Sequence, residues 1–278
     1  MTATASASRI LGLIGVGTIG GQVLQALATK RIPYDRAVVL ARSRREDTEN
    51  RVVGAGGSIV YDVAPLISAR PAVVLEAAGH EAVRAYALPI VKAGLNMILM
   101  SIGALADETV RTPLEDTARQ NGATIWLPSG GVGGLDALAA ARALGDLERV
   151  THRTIKRPEG LSTAPYVVAQ GLLRETLSEP LVVYRGSARE AVGHFPQNAN
   201  IAAAVSLAGI GFDRTQVEIV ADPSIPRSVH EIRAEGRFGT FTLHFENVMD
   251  PANPRTSRLA CLSAVAALQR RQGVFRLT

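Results

Sequence analysis

The segment Ile10-Leu-Gly-Leu-Ile-Gly15-Val-Gly17-Thr18-Ile19-Gly20 constrains this chain more than any other. An apolar run leads straight into G-x-G-x-x-G, and an alanine-rich helical pattern over 21–29 follows it. Strand, glycine turn and helix in that order form the fingerprint of a dinucleotide-binding βαβ unit. Gly15 is placed for the tight turn and Gly17 for backbone approach to a pyrophosphate. Thr18 and Ile19 open the helix, and Gly20 permits close helix–sheet packing. An ordinary glycine-rich loop is the alternative, and the flanking strand and helix weigh against it.

The second landmark is a substitution of character. Sites that prefer NAD carry Asp or Glu at the end of the second strand to hold the ribose 2'-hydroxyl. Here the apolar run 37–41 ends in Ala41-Arg42-Ser43-Arg44-Arg45. Guanidinium forks and a hydroxyl suit a 2'-phosphate, so Arg42 and Ser43 are the expected contacts to NADP, with NAD possible as cofactor. A solvated basic face is the competing reading of the same residues.

Short apolar runs at 10–14, 37–40, 58–60, 72–75, 97–100 and 124–127 alternate with helical patterns at 19–29, 64–68, 81–93 and 108–121. Such alternation specifies a parallel sheet flanked by helices, with ligands beyond the carboxyl ends of its strands. Three small-residue loops fall there: Glu76-Ala-Ala78-Gly79-His80, Ser101-Ile-Gly103 and Pro128-Ser-Gly-Gly131-Val-Gly-Gly134. Ala78, Gly79, Ser101, Gly103 and Gly131 are therefore candidate cofactor contacts. A tight turn without a ligand is the alternative for each.

Beyond Gly134 the pattern changes to strands at 149–156, 181–186, 216–220, 228–234 and 240–247, with a turn over 236–239. Helical patterns fall at 135–144, 166–177, 188–192 and 199–208, and a last one at 255–271. The fold class expected is α/β: an N-terminal Rossmann-type parallel sheet over 1–130, then an α+β domain with a largely antiparallel sheet over 131–254. The segment 255–278 is expected to pack back on the first domain. The second domain is expected to serve substrate binding, catalysis and dimerisation.

Composition narrows the functional classes. A chain of 278 residues, 47% hydrophobic, has ample material for two cores. Its 30 basic and 25 acidic residues are scattered, except for the gathering over 42–51, and aromatics make up only 4%. No nucleic-acid stripe is read from this, whereas an anionic small substrate fits the excess charge. Cys261 is the only cysteine, so neither an internal disulfide nor a thiolate metal site is expected. The apolar stretch 201–212 is too short to span a bilayer, and residues 1–9 show no signal-peptide pattern. A cytoplasmic protein without membrane partners is expected.

A nicotinamide enzyme needs a proton acceptor and a hold on its substrate. His230, in Ser228-Val-His230-Glu-Ile232, is the most suggestive of four histidines in the second domain. Spacing alone leaves a structural histidine as the stronger reading, because neighbouring strand residues face opposite ways.

Several motifs taken together shift that balance. They are Ser101-Ile-Gly-Ala-Leu105, Pro128-Ser-Gly-Gly131, Gly134-Leu-Asp-Ala-Leu138, Phe195-Pro-Gln-Asn198-Ala-Asn200-Ile-Ala-Ala203, Ala221-Asp-Pro223, His230-Glu-Ile232 and Asn253-Pro-Arg-Thr-Ser257. In these the chain resembles the L-aspartate dehydrogenase family, in order over nearly its whole length. The resemblance implies a two-domain enzyme that oxidises L-aspartate to iminosuccinate with NAD or NADP, the product hydrolysing to oxaloacetate and ammonia. It also implies a homodimer and a link to NAD biosynthesis. It places the catalytic histidine on His230, the nicotinamide-contacting asparagine on Asn200, and a cofactor-contacting alanine of the family on Gly131.

An imidazole that titrates near neutrality suits the acid–base role at His230. Asn198 is a neighbouring candidate for the substrate, and Lys156 and Arg157 are candidates for its carboxylates. Helix capping is the alternative for the asparagines, and an exposed basic pair for the cations. Departures from the family pattern occur at Ser228, commonly Asn, and at Ala41, often an acid. Two other functions remain open: a reductase or dehydrogenase of similar architecture acting on another dicarboxylate or imine, and a dinucleotide sensor without turnover. The absence of an H-H-x-x-K stretch disfavours dihydrodipicolinate reductase, one enzyme of the first kind.

Overall fold

Short runs of Val, Ile and Leu that are apolar on both faces build a sheet only where helices cover both sides. The computed structural model describes residues 9–173, 176–251 and 253–270. It divides the chain into two units. Among the described residues, one holds those up to Ala104, 109–128 and 264–270; the other holds Leu105–Glu108 and those from Ser129 to Ser263.

In the first unit the order is β1 (Ile10–Ile14), α1 (Thr18–Ala28), β2 (Arg36–Leu40), α2 (Glu46–Gly54), β3 (Gly57–Val60), α3 (Val63–Ser68), β4 (Val73–Glu76), α4 (His80–Lys92), β5 (Met97–Leu99), α5 (Glu108–Gln120) and β6 (Ile125–Trp126). The six strands align as β3-β2-β1-β4-β5-β6, all parallel. The order reverses direction between β1 and β4, which is where an open sheet of this type receives its ligand. Leu11, Leu13, Val39, Leu75 and Ile98 are sealed from solvent in its core, with Val23, Leu24 and Leu27 of α1 packed on them.

Helix α2 was not expected from the sequence. Its polar composition hides a single buried residue, Val52, and its first turn carries Glu46, Asp47 and Glu49. Carboxylates in that position favour helix formation through the helix dipole.

The second unit runs α6 (Leu135–Arg142), β7 (Leu147–Lys156), α7 (Pro165–Ala169), β8 (Leu181–Ser187), α8 (Ala188–His194), α9 (Asn200–Ala208), β9 (Gln216–Ala221), β10 (Ser228–Gly236), β11 (Gly239–Asn247), β12 (Met249–Asp250), β13 (Asn253–Ser257) and the start of α10 (Arg258–Arg270), whose residues from Ala264 on belong to the first unit. Its sheet has the order β11-β10-β7-β9-β8, antiparallel except where β7 meets β9. Alternation along β7 and β10 turns Val150, His152, Thr154 and Lys156, and Ser228, His230, Ile232 and Ala234, to the buried side.

Two helical expectations need correction. The helix expected over 166–177 ends at Ala169, because Gly171 and Leu173 take φ of +65° and +59°; residues 174–175 lie outside the described ones. The helix expected from residue 255 begins at Arg258, since Asn253–Ser257 pairs with β12 instead. Residues 1–8 and 271–278 also lie outside the described residues. Ala264 and Leu268 of α10 join the buried cluster of the first unit. Among the described residues, no helix is long and apolar enough to cross a membrane.

Candidate active site

The glycine turn is shaped by contacts that exclude side chains. Gly15 has φ +89°, and a Cβ there would lie 2.7 Å from Ala78 Cβ. A Cβ on Gly20 would lie 2.2 Å from the carbonyl oxygen of Gly15, so the first turn of α1 presses directly on the end of β1. Around Gly17 nothing lies within 4 Å of the Cβ position. Two glycines are thus demanded by packing, and the third borders open space at a helix N-terminus. That is what close approach of a pyrophosphate requires, so these residues fit a dinucleotide. Thr18 and Ile19 begin α1 beside this opening.

Glu76 ties the neighbouring loops together. It is fully buried at the end of β4. Its Oε1 accepts hydrogen bonds from the amides of Ala78 (2.7 Å) and Gly79 (2.8 Å) and from Ser101 Oγ (2.9 Å). Its Oε2 accepts from the amide of Ser101 at 3.1 Å. Burial raises the carboxyl pKa above its ordinary value, and these donors pull it back down. The candidate contacts Ala78, Gly79 and Ser101 therefore converge on one carboxylate, with Gly103 following in the 3-10 turn Ile102–Ala106. From sequence the loop is visible, but the carboxylate's role is hidden because its partner Ser101 lies 25 residues away.

Arg42 and Ser43 are exposed between β2 and α2. Next to them the Arg44 guanidinium stands 5.3 Å over the Tyr61 ring, and Tyr61 Oη donates to Glu49 at 2.5 Å. These contacts engage Arg44, while Arg42, Ser43 and Arg45 are exposed at the strand end.

In the second unit, β7 and β10 lie side by side with His230 opposite Thr154 and Ile232 opposite His152. His230 and His152 are 3% and 1% exposed. Their rings stack at 5.5 Å, with His152 Nε2 3.3 Å from His230 Nδ1. Four residues beyond His152 on β7, the buried Lys156 donates from Nζ to Asn198 Oδ1 at 2.7 Å. Burial lowers the Lys156 pKa to about 8. Burial, then the Lys156 charge, lowers His152 to about 4. His230 falls well below its usual value through burial, then His152, then Lys156. At neutral pH the cluster is a pair of neutral imidazoles beside an ammonium.

The remaining candidates separate. Asn198 joins the cluster through Lys156, whereas Asn200 is the first residue of α9, and the N-cap position before it is Ala199 without a side-chain cap. Gly131 gives its carbonyl to Asn247 Nδ2 at 2.7 Å, and a Cβ there would meet Ser257 Oγ at 3.0 Å. Arg157, adjacent to Lys156, is exposed; it donates to the carbonyls of Pro223 and Ile225 and pairs with Glu159. His152 is one of the four histidines of the second domain, but its place beside His230 is not legible in the sequence. Only the register of β7 against β10 shows it.

A six-stranded parallel sheet with a fitting glycine turn, joined to a unit that buries a histidine pair and an ammonium, defines an NAD(P)-dependent oxidoreductase. Residues 15–128 match the family described as homoserine dehydrogenase, NAD binding domain, and residues 136–271 match aspartate dehydrogenase, C-terminal. The L-aspartate dehydrogenase of Methanosarcina mazei is 40% identical over 266 residues, spanning 94% of this chain and 96% of the relative. That of Ruegeria pomeroyi is 38% identical, spanning 96% and 94%. The crystal structure of aspartate dehydrogenase from Thermotoga maritima superposes with a TM-score of 0.76 at 27% identity, covering 98% of this chain and all of that one. The chain belongs to the L-aspartate dehydrogenase family.

Proposed function

We propose that this protein oxidises the α-amino group of L-aspartate to the imine, which water then converts to oxaloacetate and ammonia. The buried cluster of His230, His152, Lys156 and Asn198 carries the proposal, because it joins a neutral base to a cationic hold within one set of buried side chains. The dinucleotide, held by the Gly15–Gly20 turn with Ala78, Gly79, Ser101 and Gly103, supplies a hydride acceptor when bound. Asn200 and the backbone at Gly131 are the proposed contacts of the second unit to it.

The α-ammonium of aspartate must lose a proton before hydride departs. His230, which burial keeps neutral and holds well below the titration near neutrality expected of it, is the imidazole proposed to take it. An incoming substrate carboxylate would find Lys156 still protonated near pH 7, with two N–H groups left after the bond to Asn198. Each carboxylate also offsets the positive charge that His230 acquires. Arg157, spent on backbone carbonyls, is the weaker candidate for the second carboxylate.

The cofactor proposed is NADP in preference to NAD. Arg42 and Ser43 follow directly on Ala41, the position where an NAD-preferring site carries an acid, and both are exposed. The acid–base assignment is tested by His230→Ala, which is expected to lower kcat by about 10²- to 10⁴-fold. Near-normal turnover by that variant would remove His230 from the mechanism.

A further inference from the structure

Histidine bases need a partner on the ring nitrogen that does not meet the substrate, since that partner fixes which nitrogen carries the proton. For His230 the carboxylates nearby in sequence do not serve. Glu231 points to the other face of β10, where it meets Arg153 and His244. Opposite His230 on β11 stands Phe245, and opposite His152 on β9 stands Val217. The titratable groups facing His230 are thus His152 and Lys156, both from β7. Of these, His152 makes the hydrogen bond.

We infer that His152 is a positioning residue for His230: its Nε2, 3.3 Å from His230 Nδ1, decides whether the outer nitrogen of His230 accepts or donates a proton. The inference rests on the acid–base reading of His230 and adds a second residue to it.

One proton lies between two neutral rings joined Nε2 to Nδ1. If it sits on His230 Nδ1, then His230 Nε2 is a bare lone pair, ready to take the substrate's proton. His152 then carries its own proton on Nδ1. If it sits instead on His152 Nε2, then His230 Nε2 carries a proton and acts as a donor, as reduction of the imine would require. His152 Nδ1 is then bare. Among the described residues, His152 Nδ1 is a buried polar atom without any hydrogen-bond partner. Neither arrangement is therefore locked by an external group, as a carboxylate on that nitrogen would lock it. The pair is poised between its two forms, which matches a reaction that runs in both directions.

When His230 Nε2 takes a proton from the substrate ammonium, the pair holds three protons and one positive charge, and the central proton bridges the rings. Sharing spreads the charge over two imidazoles inside a pocket that resists charge. Without His152, His230 would have no acceptor for its Nδ1–H and nothing to set which nitrogen carries the proton.

The test compares wild type, His152→Phe and His152→Gln. Phe keeps the ring and removes the nitrogen; the Gln carbonyl replaces Nε2 as an acceptor and favours the base-competent form of His230. The readouts are kcat and KM for L-aspartate against pH, and ¹⁵N shifts of His230 in histidine-labelled protein. Phe is expected to lower kcat at least about tenfold, since loss of a tautomer-setting partner costs hydrolases up to about 10⁴. KM should change less. Gln should regain most of the oxidation rate, and the ¹⁵N pattern of His230 should differ between the two variants. Wild-type kcat and an unchanged ¹⁵N pattern in the Phe variant would overturn the inference. So would a Gln variant no better than Phe, which would assign His152 to packing alone. Should Phe fail to fold, Gln and wild type still compare the two tautomers by ¹⁵N shift. Retained turnover in His230→Ala is a different failure, that of the acid–base reading, and leaves the ¹⁵N comparison meaningful.

Discussion

Removing the Glu76 carboxylate tests how the first unit holds its loops. In Glu76→Ala, four donors lose their acceptor: the amides of Ala78, Gly79 and Ser101, and Ser101 Oγ. Exposure decides what each loss costs. Ala78 is exposed and Gly79 half-buried, so water replaces the carboxylate there at little cost. Ser101 is 5% exposed, and its two donors are left without a partner. Unsatisfied buried donors cost about 1–3 kcal/mol each, which gives roughly 3 kcal/mol for the pair after partial relaxation. For a domain of this size that corresponds to a Tm lower by about 6–12 °C. In Glu76→Gln the amide oxygen can keep the three contacts made by Oε1, while its NH2 faces the Ser101 amide. That variant should lose about 1 kcal/mol, the cost of one donor. Because the folded-state pKa of Glu76 is raised, the folded state binds the extra proton first on acidification. Wild type should therefore gain on Gln as the pH falls through that value towards the ordinary carboxylate range. Thermal and urea melts read these differences, and titration with NADP should show weaker binding to the Ala variant. An Ala variant within about 0.5 kcal/mol of wild type would refute the account of Glu76 as the tie between the loops.

Lys156→Met is expected to stabilise the protein while damaging its function. Holding a lysine at a pKa of about 8 rather than the ordinary 10.5 costs about 3 kcal/mol at neutral pH. The advantage of Met should shrink as the pH rises from 8 towards 10, where wild-type Lys156 is neutral when folded. Its KM for L-aspartate should rise by about tenfold or more, the worth of a charge-assisted hydrogen bond; an unchanged KM would remove Lys156 from the substrate site. Gly20→Ala should cost the dinucleotide unit stability and NADP affinity, since its methyl would meet the Gly15 carbonyl; a wild-type melt and Kd would contradict the packing role. Arg42→Ala should reduce kcat/KM with NADP by about tenfold and leave NAD nearly untouched, and equal losses with both would disprove a 2'-phosphate contact.

The dinucleotide unit was legible because its signals are local. Strand, turn and helix are contiguous around Gly15, Gly17 and Gly20, and periodicity located all six strands to within a residue or two. What escaped depended on distance or on partial burial. Helix α2 buries only Val52, too little to show a pattern. Residues 255–257 of the strand Asn253–Ser257 read as the start of the helix that follows, since the partner Met249–Asp250 is only two residues long. In the second unit, His230 was found through the family resemblance and not through spacing. His152 became visible only when antiparallel pairing set β7 against β10, 78 residues apart. Lys156 and Arg157 read as one basic pair in sequence, yet alternation along the strand buries one and exposes the other.

The central claim is the chemistry itself, and the direct measurement is the initial rate of cofactor reduction across a panel of amino acids, with NADP and NAD in parallel. L-aspartate should be oxidised far faster than glutamate, alanine or asparagine, faster with NADP than with NAD, and oxaloacetate with ammonia should consume NADPH. No rate with L-aspartate or with oxaloacetate and ammonia, alongside turnover of another dicarboxylate or imine, would contradict the account.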